Sequence, residues 1–197
     1  ATVIGGLAVL VGPLFNTIYP RFSALVALER SDALVAAYHK YTRCFAIAYF
    51  PVVTALGAYA YDIVALWTGK PDTAAAVAPI ISILCIGSAI NGLMYFPYSL
   101  QLATGKVSLP LSINVVLLVV AGPLIVALTV THAGLGGAIA WAVLEIMYLL
   151  LGTYLTHRRI AIGSGGAWLM KSVAAPAAAT LAMAALLHPL VLLAAAA

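Results

Sequence analysis

Residues 108–130 read SLPLSINVVLLVVAGPLIVALTV, an apolar run that contains no charged side chain. A helix needs roughly 20 consecutive apolar residues to cross the hydrocarbon core of a bilayer, and this run is long enough. It is also much longer than the ~10 residues of a membrane-barrel strand, and it lacks the two-residue alternation of such strands. The run therefore predicts a transmembrane helix.

The rest of the chain repeats this pattern, and the composition agrees with it. Only 7% of the residues are charged, whereas soluble domains carry about 25%. We expect an all-α fold, a polytopic transmembrane helix bundle, in which residues 188–197 either end the last span or begin a seventh. The six predicted spans are 1–19, 44–67, 74–104, 108–130, 134–156 and 172–187.

The basic residues predict how these spans are oriented. Loops after the second and fourth spans contain only Lys70 of the nine Lys and Arg residues. Because basic loops stay in the cytoplasm, the opposite loops should be cytoplasmic, and this topology explains the net charge of +4 without a nucleic-acid partner. The eight residues of the basic loops are Arg21, Arg30, Lys40, Arg43, Lys106, Arg158, Arg159 and Lys171.

The first connection, residues 21–43, has mixed charges and an amphipathic pattern. Ser31 can cap a helix, and Leu34, Ala37 and Tyr38 follow at helical spacing. The pattern predicts a cytoplasmic amphipathic helix lying in the membrane interface. The alternative is that the second span begins early and extends into the cytosol.

Prolines occur in nearly every predicted span. A proline inside a helix removes a hydrogen bond and favours a bend or a break. Such breaks form binding sites and hinges in transporters, although proline is also common in membrane helices in general. The residues concerned are Pro13, Pro51, Pro79, Pro97, Pro123 and Pro189.

Signals for enzymatic chemistry are missing from the sequence. No segment combines Ser, His and Asp, pairs carboxylates, or spaces His and Glu for a metal, and Cys44 and Cys85 are isolated thiols. We therefore expect a protein that is not an enzyme and that uses no metal or cofactor.

Two carboxyl groups are candidates for ion coupling. Glu145 lies midway along the fifth predicted span, where an ionised carboxylate is costly unless it finds a partner. It either exchanges a proton in a hydrated cavity or, protonated, hydrogen-bonds a neighbouring helix. Asp62 lies near the outer end of the second span, close to Lys70, and is either a coupling-ion ligand or a solvated interfacial residue.

The third span carries the most organised polarity. Asn91, Tyr95, Tyr98 and Gln101 have spacings that approximate one stripe of a helix. Amides and aromatic rings suit a path for a sugar, and the alternative is hydrogen bonding between helices. At the other end of the membrane, Arg21 either contacts the phosphates of an anionic lipid carrier or extends to lipid headgroups.

Several segments resemble, in order, the second lobe of Wzx-type O-antigen and polysaccharide flippases. These segments are GPLFNTIYPRFS at 12–23, LWTG at 66–69, Asn91-Gly92 followed by PYSLQLATG at 97–105, and GLGGA at 134–138 with Trp141 and Tyr148. Together they extend over about residues 1–171 and are similar to motifs of the multidrug/oligosaccharidyl-lipid/polysaccharide exporter superfamily.

The resemblance implies one lobe of a two-lobe exporter that works by alternating access in the bacterial inner membrane. The implied substrate is an undecaprenyl-diphosphate-linked oligosaccharide, and the implied partners are membrane lipids and an N-terminal lobe. The chain has no initiator Met and opens inside an apolar run, so we expect that lobe to precede Ala1.

The chain departs from the family pattern at two points. The family's cavities contain basic residues that meet the diphosphate, whereas the cations here all lie at predicted membrane edges. Glu145 stands where an amide would be expected. Three alternatives stay open: a cation-coupled drug exporter, a membrane-embedded glycosyltransferase, which would need further carboxylates, and a scaffold that transports nothing.

Overall fold

The computed structural model describes residues 2–160 and 162–195, with the side chains of 2–4, 8, 10 and 188–195 outside the description. Every regular element in these ranges is helical, which confirms the predicted all-α class. The elements are α1 (Thr2–Ala27), α2 (Ser31–Ala58), α3 (Ala60–Thr68), α4 (Pro71–Ala103), α5 (Ser108–Ile160), α6 (Gly165–Trp168), a π-helical turn (Leu169–Ala174) and α7 (Ala175–Ala195).

Within the described residues, three helices are long and apolar enough to cross a membrane. They are α4, α5 and the continuous helix Gly165–Leu187, and α2 with α3 forms one further candidate span that is bent by 66°. The predicted polytopic transmembrane bundle is thereby confirmed. The predicted span 1–19 begins at Ala1, which lies outside the described residues. Residues 196 and 197 lie outside them as well. Helix α7 continues through Pro189 without a break.

Helix α5 is a hairpin rather than one long rod. Ala133 has φ 50° and ψ −129°, which no α-helix contains. A side chain on Gly136 would overlap the carbonyl oxygen of Leu128. In a straight helix these two residues, eight positions apart, would be separated by about 12 Å. The chain therefore reverses at Ala133, and glycine is required at position 136 because the two helices cross there.

We call residues 108–132 the first arm of α5 and residues 134–160 the second arm. The Lys106 side chain donates to the carbonyl oxygen of Arg159, so the start of the first arm lies beside the end of the second. Since α4 precedes the hairpin, α4 and the second arm run in the same direction. The arms correspond to two of the predicted spans.

The connection 21–43 does not form a separate helix in the interface. Residues up to Ala27 belong to α1, a link of three residues follows, and α2 begins at Ser31 and continues without interruption to Ala58. Leu34, Tyr38 and Phe45 are all buried on one side of α2, so the apolar stripe continues across the predicted boundary. The helix that contains the second predicted span therefore begins at Ser31, as the alternative expected of that helix.

Helix α4 lies at the centre of the bundle and packs against α1, α2, α3 and α5. Close contact with α2 occurs beside Gly92, where an added Cβ would come within 2.8 Å of the Tyr49 ring and 3.1 Å of the Phe45 ring. Phe45 also packs on Phe96, with 5.6 Å between the ring centroids. An aromatic cluster therefore joins α2 to α4.

A second aromatic cluster joins α2 to the start of the last helix. The Trp168 ring is completely buried and stacks on Tyr38, with 5.5 Å between the centroids. Its Nε1 donates to Thr42 Oγ1 at 3.2 Å, and one π-helical turn further on Ser172 Oγ lies 3.0 Å from His39 Nδ1. These contacts hold the helix Gly165–Leu187 against the basic end of α2.

Candidate functional site

A cavity of about 240 Å³ lies between α4 and the two arms of α5. Helix α4 contributes three of the predicted path residues, and each arm contributes one polar side chain. Asn114 of the first arm is exposed, so the cavity is open on that side. The lining residues are Asn91, Met94, Tyr95, Tyr98, Asn114 and Tyr148.

Helix α1 adds an aromatic ring beside the cavity. The centroid of Phe15 is 6.3 Å from that of Tyr95, edge to face, and 5.8 Å from that of Tyr98. Phe15 also stacks on Tyr19 at 5.6 Å with nearly parallel planes. Such contacts hold aromatic rings in defined orientations, so Tyr95 and Tyr98 have a fixed support.

Glu145 lies directly behind the cavity. Its side chain is 1% exposed, and Asn91 Nδ2 donates to its Oε1 at 3.0 Å. The other carboxyl oxygen, Oε2, has no hydrogen-bond partner among the described residues. Because Asn91 also lines the cavity, one amide links the cavity to the buried carboxyl group.

The structure separates Gln101 from the other three predicted path residues. Gln101 is completely buried and donates from Nε2 to Thr156 Oγ1 at 2.6 Å. Helical geometry explains the separation, because ten residues at about 100° each leave Gln101 roughly 80° away from Asn91. Gln101 therefore joins α4 to the second arm and does not line the cavity.

Arg21 and Asp62 lie elsewhere. Arg21 is exposed on α1, which continues six residues past it, and Asp62 is exposed in the first turn of α3. A carboxylate near a helix N-terminus is favoured by the helix dipole, which agrees with the solvated alternative for Asp62. Neither residue lines the cavity.

Sequence reasoning missed Asn114 as a cavity residue. The signal was a single amide in an otherwise apolar predicted span, and polar groups at membrane depth are functional candidates by default. Tyr148 was named only as part of a motif in the family resemblance. It could have been predicted as a site residue, because it lies three residues after Glu145 and therefore on the same face of the second arm.

The site contains hydrogen-bonding amides, phenol groups and aromatic faces, without a charged group in its lining. Among the described residues, no three His, Cys, Asp or Glu side chains could together hold a metal ion. A neutral ligand with several hydroxyl groups fits this lining, because amides and phenols can both donate and accept hydrogen bonds.

Comparisons with known proteins do not assign the chain to a family. No family model matches it, and neither the curated proteins nor the solved structures include a significant match. The side chains of the cavity and the resemblance of the sequence motifs are therefore the features that indicate a function.

Proposed function

We propose that this chain is one lobe of a flippase, which moves an undecaprenyl-diphosphate-linked oligosaccharide across the bacterial inner membrane. One observation carries the proposal: a cavity lined by amides and tyrosines lies inside an apolar bundle, next to a buried carboxyl group. A bundle that only had to be stable would have little use for these groups, because polar side chains at membrane depth are costly.

The lining suits the oligosaccharide part of this substrate. Sugar hydroxyls can bond Asn91 and Asn114, and the apolar face of a sugar ring can stack on Tyr95 or Tyr98. The cavity of about 240 Å³ is smaller than the 300 Å³ or more of typical ligand pockets. We infer that the second lobe of the exporter completes it on the open side.

The diphosphate requires other residues. Charge cannot enter hydrocarbon unaided, and no Lys or Arg lines this cavity. We assign the diphosphate contacts to the preceding lobe, in line with the family resemblance, while the lipid tail stays in the membrane.

Asn91 would connect substrate binding to ion coupling. A sugar hydroxyl that binds the Asn91 amide competes with Glu145 Oε1 for the same donor group, 3.0 Å away. Loss of that hydrogen bond removes support for the ionised carboxylate, so substrate binding at Asn91 and the protonation state of Glu145 are linked. Proton exchange at Glu145 can then bias the two access states.

The test uses the full-length exporter in cells that depend on it for surface glycan. Replacing Asn91 and Tyr95 together with Leu should reduce glycan display strongly, since both groups face the cavity. Ser112→Ala is the control, because it removes an exposed hydroxyl from the first arm of α5 outside the cavity. Normal display in the double variant would refute the sugar path.

Glu145→Gln tests the coupling separately. Gln has the size of Glu and keeps an oxygen that can accept a hydrogen bond, but it cannot exchange a proton. Export driven by a proton gradient should therefore stop, while folding is retained. Unchanged display in Glu145→Gln would exclude proton coupling at this residue. Loss of drug efflux with intact glycan display would instead support the cation-coupled drug exporter.

A further inference from the structure

A second and larger cavity, of about 440 Å³, lies beside the C-terminal part of the second arm of α5. It is formed where that arm ends and the helix Gly165–Leu187 begins, and none of its lining residues belongs to the cavity around Asn91. Its lining combines the apolar side chains of Leu149, Leu150 and Leu169 with polar groups.

The polar groups include the start of a membrane-length helix. Gly165–Leu187 is continuous over 23 residues, because the backbone stays helical through Trp168 and the π-helical turn. Ser164 caps it: its Oγ accepts from the Ala167 N–H at 3.4 Å. Within the described chain, the N–H groups of Gly165 and Gly166 have no hydrogen-bond partner. The N–H groups in the first turn of a helix, at the positive end of its dipole, bind anions.

Two buried side chains in the wall of this cavity also lack partners. Thr153 and His157 are each 6% exposed, and Thr153 Oγ1 and His157 Nε2 have no hydrogen-bond partner among the described residues. Since the other ring nitrogen, Nδ1, lies 2.8 Å from the Thr153 carbonyl oxygen and donates to it, Nε2 can accept. A ligand that offers both a phosphate oxygen and a hydroxyl group would satisfy both atoms.

Arg158 supplies positive charge at the cavity edge. Its Nη1 donates to the Tyr154 hydroxyl at 2.6 Å, and the guanidinium lies over the Tyr154 ring at 5.8 Å. These two contacts hold the exposed side chain beside the helix start, where it can form a bidentate contact with a phosphate. The cavity lining contains no carboxylate that would oppose an anion.

We propose that this cavity binds an anionic phospholipid. Its phosphate lies at the Gly165 and Gly166 N–H groups and at Arg158, while an acyl chain packs along Leu149, Leu150 and Leu169. A soluble phosphate would use only the polar groups of the cavity, and the apolar side chains are what select a lipid. The site lies at the basic end of the bundle, and a headgroup at the membrane surface reaches it without crossing hydrocarbon.

The experiment uses the purified full chain in nanodiscs of phosphatidylcholine with small amounts of phosphatidylglycerol. Native mass spectrometry measures retention of each lipid. Arg158→Gln should lower phosphatidylglycerol retention about tenfold, as expected for one charge-assisted contact, and Arg158→Lys should have a smaller effect. Arg159→Gln is the matched control, because it removes the same charge from the next position, which does not line the cavity.

A loss confined to the Arg158 variants, with Arg159→Gln within about twofold of the parent chain, would support the proposal. Equal losses in Arg158→Gln and Arg159→Gln would overturn it, since general surface charge would then explain binding. Equal retention of both lipids by the parent chain would also overturn it. If glycerol phosphate in detergent protects the chain from heat as well as phosphatidylglycerol does, the ligand is a soluble phosphate and the lipid assignment is wrong.

Discussion

The two arms of α5 are similar in length but differ in what they bury. The first arm exposes large apolar side chains: Leu118 is 71% exposed, Val119 68% and Val130 81%. The second arm buries polar ones, and Glu145 and Thr156 are 1% and 0% exposed. In water this distribution would be unstable in both arms.

The difference shows what surrounds each arm. Hydrocarbon solvates Leu and Val as well as a protein core does, so apolar side chains need not be inside, whereas hydrogen-bonding groups must find partners within the bundle. The first arm therefore faces lipid along most of its surface, and the second arm belongs to the polar interior. The burial of polar side chains in the second arm, and their scarcity in the first, distinguishes the two.

The largest effect is expected when a charge is placed on the first arm of α5, which faces lipid. Leu118→Arg should cost about 3 kcal/mol of membrane insertion, the penalty for an arginine at mid-membrane. The inserted fraction can be measured with glycosylation sites placed on either side of the arm. Val107→Arg is the control, because Val107 is exposed in the link before α5. Equal insertion of the two variants would mean that the first arm does not face lipid.

A smaller effect is expected where the two arms meet. Gly136→Ala would push a methyl group onto the carbonyl oxygen of Leu128, and such overpacking costs about 1–3 kcal/mol. Gly122→Ala has open space around the new Cβ and should leave stability unchanged or raise it slightly. Unfolding in increasing dodecyl sulfate measures both, and a Gly136→Ala variant as stable as the parent chain would contradict the crossing.

The polar interior can be tested at the contact between α4 and the second arm. Gln101→Leu and Thr156→Val each remove one end of a 2.6 Å hydrogen bond. A double-mutant cycle on unfolding free energy should give a coupling of about 0.6–1.7 kcal/mol, the range measured inside membranes. Strictly additive losses would show that the two side chains act independently.

The smallest effect is expected for a substitution at a lipid-facing position of the first arm. Val119→Leu changes the shape of an exposed apolar side chain and should alter unfolding free energy by less than about 0.5 kcal/mol. Ala140→Leu, at a completely buried position of the second arm, should cost clearly more through overpacking. Similar values for both would remove the distinction between the arms.

Much of the fold could be predicted because it follows from the length of the apolar runs, which predicted the helices. The spacing of Asn91, Tyr95 and Tyr98 within one span predicted that they lie on one side of the helix. The angle of roughly 80° between Gln101 and Asn91 around α4 could also have been calculated from helical geometry. The prediction placed Gln101 on the same stripe because it treated the spacing as approximate.

The break between α2 and α3 could not be predicted in the same way. The described helices pass through Pro51, Pro97 and Pro123, and the chain breaks instead after Ala58, at Tyr59, and at Ala133. A proline inside a bundle is tolerated where neighbours satisfy the freed carbonyl. The reversal at Ala133 lies in the predicted link between spans 108–130 and 134–156, whereas the contact of Gly136 with Leu128 is a tertiary feature that no local pattern reports.

The parallel packing of α4 and the second arm also restricts how this bundle can move. Two hydrogen bonds, from Asn91 to Glu145 and from Gln101 to Thr156, cross the same pair of helices, about 15 Å apart along the axis. Sliding one helix past the other by a single residue would break both bonds together. The pair should therefore move as one rigid body.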